Sequence, residues 1–281
     1  MKVDPNVKGF FLASRIPNLV IIAVTITSAV YMLKRHGFEV DFDWTYLLLA
    51  ASTMMIAAGG YIINDYFDHK IDMVNRPERV VVGRILTRRK ALVAHLLLSN
   101  LAIIIGFIAS LKIGLLHIFS VTLLFFYSNH LRRFFIGKIA IAILACLCVL
   151  SVGIAYEITS IRLMAFSAFG AAIIWIRELI KELESMPGEQ LFGVESVPTV
   201  WGISGTKMII SLIGACAIGV LIYFIIEIES QLFTYYYLGM AFPVTWVAFY
   251  LYRADKQEEF TWIRRMTNFL ILAGLVSMWI V

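Results

Sequence analysis

Charge is what this 281-residue chain has least of: Asp, Glu, Lys and Arg make up only 15% of it, while 60% is hydrophobic. An ordinary soluble domain is about 25% charged and roughly 45–50% apolar. So few polar side chains cannot cover the apolar surface of the chain, which argues against a soluble enzyme and against intrinsic disorder. Cysteine is scarce too. Cys146, Cys148 and Cys216 lie in apolar runs without metal-ligand spacing, so neither a disulfide framework nor a zinc site is indicated. The five histidines, His36, His69, His95, His117 and His130, show no motif spacing. No Walker loop, GxSxG elbow or GxGxxG fingerprint occurs, and short alternating segments of the β-barrel kind do not dominate. The N-terminus MKVDPNVKGFF is no clean cleavable signal, because Arg15, Pro17 and Asn18 interrupt the stretch where a signal core would lie. The first apolar span is therefore expected to be retained.

What is present in quantity is apolar sequence in runs of about 20 residues, the length that crosses roughly 30 Å of hydrocarbon. Hydropathy predicts nine spans, at about 12–34, 45–67, 90–110, 113–130, 137–157, 162–183, 207–228, 231–252 and 261–281. The expected fold is all-α: one polytopic helical bundle over 1–281, with short connections that make neighbouring spans antiparallel. With nine spans, the side holding the N-terminus and the loops after spans two, four, six and eight carries 20 of the 24 basic residues, leaving Lys34, Arg35, Lys112 and Arg162 opposite. The positive-inside bias places the first side in the cytoplasm. That bias also accounts for the net charge of +5 without nucleic acid as a partner.

Span two ends in Asn64-Asp65-Tyr66-Phe67-Asp68-His69-Lys70-Ile71-Asp72. Asn64, Asp68 and Asp72 are spaced i, i+4, i+8, so a continuing helix puts them on one face, with neighbouring Cβ atoms about 5–6 Å apart. Two carboxylates at that separation repel by roughly 3 kcal/mol if the effective dielectric is near 20. A counter-charge is needed, and hard oxygen ligands point to Mg²⁺; the competing reading is a solvated helix end whose acids pair with Lys70 and Arg76. Span six also ends in acids, with Glu178 and Glu182 at i, i+4, Pro187 and Gly188 expected to stop the helix, and Glu189 just beyond. Both clusters fall on the same membrane face. Two facing carboxylate sets can hold metals that grip a diphosphate, whose oxygens complete the shell.

Basic residues crowd the same face: Arg76, Arg79, Arg84, Arg88, Arg89 and Lys90 after span two, and Arg132 and Arg133 after span four. Guanidinium forks suit phosphate oxygens. Topology and anionic headgroups account for Arg88, Arg89 and Lys90, whereas Arg76, Arg79 and Arg132 adjoin polar helix ends and are candidates for ligand contact. Gly59-Gly60 before the aspartates permits close helix packing. Tyr61, Phe67 and Tyr127 are candidates to line a pocket where a cation forms.

The string Asn64-Asp65-x-x-Asp68-x-x-x-Asp72 followed by Asn75-Arg76-Pro77 resembles the first aspartate-rich motif of the UbiA superfamily of intramembrane prenyltransferases. The segment from Arg177 through Glu178, Lys181, Glu182 and Glu184 to Gly188-Glu189 is similar to that family's second acidic motif. Gly193 to Pro198 resembles the stretch that follows it. Tyr127-Ser128 with Arg132 resembles the Tyr-plus-Lys/Arg loop after span four, and Ser14 to Asn18 resembles the start of the first helix. The departures are specific: Glu182 and Glu189 stand where aspartate is usual, Ser185 and Pro187 replace further acids, and Lys138 follows Gly137 where asparagine is common.

The resemblance implies a bundle with a lateral apolar channel and a cytoplasmic-side polar cavity. It implies Mg²⁺ held by Asn64, Asp68, Asp72, Glu178, Glu182 and Glu189. Asn64, Asp65, Arg76, Arg79, Arg132 and Lys181 would bind a prenyl diphosphate. Asp68, Asp72, Glu182 and Tyr127 would act in ionising it, and a lipophilic acceptor would take the prenyl group in the cell membrane. The Arg-Glu-x-x-Lys pattern at 177–181 resembles the branch that makes an ether lipid on geranylgeranylglyceryl phosphate. Aromatic quinone precursors and haem are the other acceptors of the family. From another class, a transporter would place its ionisable groups near mid-bilayer on broken helices, and a weakened lipid-binding relative would carry substituted acids.

Overall fold

The computed structural model describes residues 4–134 and 137–280. Ten helices follow one another in the order α1 (Pro5–Ala13), α2 (Ile16–Arg35), α3 (Trp44–Asn75), α4 (Arg88–Ala109), α5 (Leu111–Asn129), α6 (Lys138–Ala155), α7 (Ile161–Leu191), α8 (Val197–Ile228), α9 (Gln231–Arg253) and α10 (Gln257–Ile280). Among the described residues nine of these, α2 to α10, are long and apolar enough to cross a membrane, and they match the nine predicted spans.

Local sequence explains where the helices start and turn. The Asp43 carboxylate accepts from Tyr46 N–H at 3.0 Å and opens α3, and Ser110 alone joins α4 to α5, its hydroxyl accepting from Ile113 N–H at 3.1 Å. That one-residue connection forces the two helices together. A Cβ on Gly114 would sit 2.3 Å from the Phe107 ring and one on Gly106 2.6 Å from His117, so only glycine permits the crossing. Arg15, in the left-handed region at φ 51°, separates α1 from α2.

Three elements differ from their predicted bounds. Helix α3 continues beyond 67 to Asn75 and carries the aspartates on regular helix. Helix α8 begins at Val197 but bends at Gly202 (φ 71°, ψ 180°), a backbone conformation open to glycine, and the apolar span predicted from 207 is its second part. Helix α7 does not stop at Pro187 but runs to Leu191. The reason lies in the side chains around the proline: Asn75 Oδ1 accepts from Gly188 N–H at 3.0 Å, Asn75 Nδ2 donates to the Ser185 carbonyl at 3.1 Å, and Gln257 Nε2 donates to the Glu184 carbonyl at 2.7 Å. The backbone groups that a proline disturbs find partners on α3 and α10, and the helix survives.

Among the described residues the interior holds two large buried clusters and a small one around Ala13, Ile62, Val82, Leu86 and Ala91. Around Ile26, Leu33, Leu49, Val152, Phe166 and Phe233 lies the large cluster remote from the acids, and around Leu179, Ile180, Leu183, Ile213, Leu251 and Phe260 the one beneath them. Buried polar links cross between helices: His117 Nε2 shares a hydrogen bond with Ser52 Oγ at 2.7 Å, and His95 Nδ1 donates to the Gly59 carbonyl at 3.0 Å. Gly59 and Gly60 face His95 and Leu124 at contact distance, as close packing of α3 requires.

Candidate active site

The acids of α3 come first in the chain, and two of them, Asp65 and Asp68, meet a cation. Asn64 Nδ2 donates to Asp68 Oδ2 at 2.7 Å, and the other oxygen of Asp68 pairs with Arg132, which stands on the 3-10 turn Leu131–Arg133 between α5 and α6. Asp68 is 4% exposed. Asp65 takes the Arg15 guanidinium at 2.5 Å, and the same guanidinium lies over the Tyr61 ring, 5.2 Å from its centroid. Burial opposes the charge of Arg15, yet Asp65, Tyr61 and Asp72 hold its pKa above the usual value. Burial pushes Arg132 down to about 10 while Glu189, Glu182, Glu178 and Asp65 pull the other way. Arg132 thus stays charged at neutral pH in a field drawn from both α3 and α7.

On α7, Glu178 lies 2.5 Å from Arg177 Nη1 and 3.5 Å from Lys181 Nζ. Glu182 is 1% exposed; no side chain hydrogen-bonds its oxygens, the backbone of Val197 at the head of α8 faces it, and Lys138 Nζ stands 3.7 Å away. The Lys138 ammonium donates to the Tyr127 hydroxyl at 2.8 Å and lies 5.3 Å from the centroid of its ring. Glu189 accepts from the Ser185 hydroxyl at 2.7 Å through one oxygen, and its other oxygen is buried without a partner.

The two helix ends meet on one face of the bundle. Besides the Asn75 bridge, Arg76 pairs with the buried Glu184 of α7, which also accepts from Arg264 Nε and Thr261 Oγ1 of α10, each at 2.7 Å. Asn64, Asp65, Asp68, Asp72, Glu178, Lys181, Glu182, Glu189, Arg132 and Tyr127 therefore belong to one end of the molecule. Arg76 is there too, but turned onto Glu184. Arg79 is not brought in: it lies largely exposed, 3.7 Å from Glu78.

Among the described residues, no three Asp, Glu, His or Cys side chains converge as an all-protein metal cage would require. Magnesium seldom uses such a cage; it takes one or two carboxylates, waters and substrate phosphates. Asp68, Asp72 and the Asn64 amide supply that number of hard oxygen donors on one helix face. The buried oxygens of Glu182 and Glu189 add donors across from them. The residues fit the ion in chemistry and number, with Arg132 and a metal competing for Asp68.

Two cavities adjoin this end. A small one of about 40 Å³ is lined by Phe67, Asp68, Ile71, Ser128, Arg132, Arg133 and Val194, and the buried Ser128 hydroxyl has no partner. A larger one of about 400 Å³ lies between α6, α7 and α8. Its wall is apolar and rich in alanine, including Ala142, Ala165, Ala168 and Ala172. It reaches Trp175, three residues before Glu178, and extends to Phe224.

Residues 21–274 match the UbiA prenyltransferase family. The chain belongs to that family. It is 34% identical over 163 residues, 57% of each chain, to the digeranylgeranylglyceryl phosphate synthase of Methanothermobacter thermautotrophicus, so that alignment spans little more than half of the relative's length. It is 32% identical over 220 residues to the synthase of the same name from Methanobrevibacter smithii, covering 74% of this chain and 75% of the relative. The structure of a UbiA homolog from Archaeoglobus fulgidus bound to GPP and Mg²⁺ superposes with a TM-score of 0.66 at 14% identity, over 97% of this chain and 100% of that one. The molecule has the UbiA fold, with nine helices among the described residues long and apolar enough to cross a membrane.

Four residues that shape this UbiA site stood in the sequence only as members of motifs, with no role assigned to them. Asn75 and Glu184 act across helices, and nothing in a linear sequence marks which side chain bridges to which. Arg15 was visible only as part of a motif. Lys138 carried the clearest signal, a lysine at the head of an otherwise apolar span, where an ionisable group needs a partner.

Proposed function

We propose that the chain transfers a prenyl group from an allylic prenyl diphosphate to a lipophilic acceptor, the hydroxyl of geranylgeranylglyceryl phosphate. The observation that carries this reading is the meeting of two acidic helix ends with arginines in a bundle that also holds an apolar cavity, whose wall comes within three residues of Glu178 on α7. The name of the aligned relatives supports the acceptor, and the solved relative holding GPP and Mg²⁺ supports the donor and the ion. Asn64, Asp68 and Asp72 would hold magnesium, with Glu178, Glu182 and Glu189 as the facing oxygen donors. When bound, the ion supplies positive charge against the departing diphosphate.

The chain's own residues do the rest. Asp65 holds Arg15, and Arg132 and Lys181 are the cations available to phosphate oxygens, Arg76 being committed to Glu184 and Arg79 lying outside the site. The alanine-rich cavity takes the prenyl tail. The allylic C–O bond breaks, diphosphate leaves with the electron pair, and the acceptor oxygen forms the new C–O bond as its proton departs. Tyr127 stands by the developing carbon cation in a region closed to water. The excess of basic residues on the headgroup side supports a cytoplasmic orientation for that face and the N-terminus, in the cell membrane.

Purified protein in detergent, given Mg²⁺, labelled geranylgeranyl diphosphate and geranylgeranylglyceryl phosphate, is expected to form the ether product and to stop when EDTA is added. Asp68→Ala should lower turnover by at least about a hundredfold. Full turnover by Asp68→Ala, or no product and no Mg²⁺-dependent diphosphate binding by folded wild type, refutes the assignment.

A further inference from the structure

The two acidic helix ends are not equivalent. On α3, Asp68 and Asp72 share a face with the Asn64 amide, and the cation on Asp68 comes from a surface turn. On α7, every acid already has a resident partner rooted in the helices. Glu178 is held by Arg177 and Lys181, Glu189 by Ser185, and Glu182 looks at Lys138. Lys138 is 3% exposed and begins α6, so its ammonium is fixed by the backbone of a membrane span.

The distances define its state. Of its three N–H groups, one is spent on the Tyr127 hydroxyl at 2.8 Å. The 3.7 Å to Glu182 is an ion pair in range but too long for a hydrogen bond. Donor capacity therefore remains beside Glu182, whose oxygens accept from no side chain. A magnesium ion on Glu182 would lie about 2.0–2.1 Å from a carboxylate oxygen, and so within about 6 Å of this ammonium, two like charges in a buried site. An incoming diphosphate oxygen meets the opposite condition, a fixed cation with N–H groups to give.

We infer that Lys138 is the built-in cation of the α7 half of the headgroup site: its ammonium, rather than a second magnesium ion, takes up diphosphate charge there, and the site loads a single divalent ion on the α3 side. This rests on the prenyl diphosphate reading above and refines it. Lys138 is thereby a substrate-binding residue, and Tyr127 the group that orients it.

The test counts ions rather than turnover. Full-length protein in detergent is titrated with Mn²⁺, in place of Mg²⁺, in the presence of saturating geranyl thiolodiphosphate, an analogue that resists ionisation; free Mn²⁺ is read by electron paramagnetic resonance. Wild type is expected to saturate at one Mn²⁺ per chain. Lys138→Asn and Lys138→Gln should either bind a second Mn²⁺ or bind the analogue about ten- to a hundredfold more weakly at equal Mn²⁺, the loss of a charged hydrogen bond. Lys138→Arg, which keeps the charge, should stay at one ion with affinity within about threefold. Two Mn²⁺ on wild type overturns the inference and leaves the prenyl diphosphate reading standing, and so does unchanged stoichiometry and affinity in both neutral variants. Wild type that is folded yet binds neither Mn²⁺ nor the analogue overturns the functional reading itself. Should the neutral variants fail to fold, the wild-type count still decides.

Discussion

Replacing Gly188 by alanine separates local preference from the tertiary arrangement. Gly188 sits inside α7, where alanine is favoured over glycine by about 1 kcal/mol on helix propensity. The structure predicts the opposite sign. A Cβ at 188 would lie 2.6 Å from both Nδ2 and Oδ1 of Asn75 and 2.7 Å from its Cγ, so the amide must leave. With it go two hydrogen bonds, to Gly188 N–H and to the Ser185 carbonyl, at about 1 kcal/mol each; adding the overpacking of a tight contact, about 1–3 kcal/mol, gives a net loss of about 2–4 kcal/mol after the propensity gain. Thermal unfolding in detergent, followed by tryptophan fluorescence, should show a fall of several degrees. Asn75→Ala removes the obstacle and the bonds together, so the double variant should be no less stable than Asn75→Ala alone, a coupling of at least what Gly188→Ala costs by itself, about 2–4 kcal/mol. Gly188→Ala as stable as wild type, or losses that simply add in the double variant, would refute the reasoning.

Two further outcomes follow from the same end of the molecule. Glu184→Gln should cost about 2–3 kcal/mol, less than a fully buried pair because Arg76 and Arg264 keep side-chain exposures of 27% and 15%; pairing it with Arg264→Met should recover part of the loss in the same melting assay, and an unchanged midpoint for Glu184→Gln counts against the clasp. Ala168→Trp narrows the cavity between α6, α7 and α8, and should lower turnover of geranylgeranyl diphosphate about tenfold relative to geranyl diphosphate. Equal effects on the two donors would mean that the tail lies elsewhere.

The nine spans were legible because a membrane span announces itself by length alone: nothing else explains 20 apolar residues in a row. The i, i+4, i+8 acids were legible for a similar reason, since helical spacing converts sequence distance into a face. What escaped is what depends on a second helix. Pro187-Gly188 is an ordinary stop signal, and only the amides of Asn75 and Gln257, more than sixty residues away in either direction, carry the helix through it. Arg76 looked like a free phosphate ligand until Glu184 was seen beneath it. The helical run beginning at 197 was hidden by the non-helical backbone of Gly202, which splits one long helix into a short amphiphilic piece and the span proper.

Helix α8 forms one side of the apolar cavity, yet only 6% of its most hydrophobic stretch is buried in the protein. Acyl chains must therefore complete its packing, and what separates this cavity from the bilayer is a single helix braced by solvent hydrocarbon. A detergent that strips annular lipid softens this partition long before it disturbs the ion-paired end. Extraction conditions that preserve headgroup affinity can then still abolish discrimination between long and short isoprenoid chains.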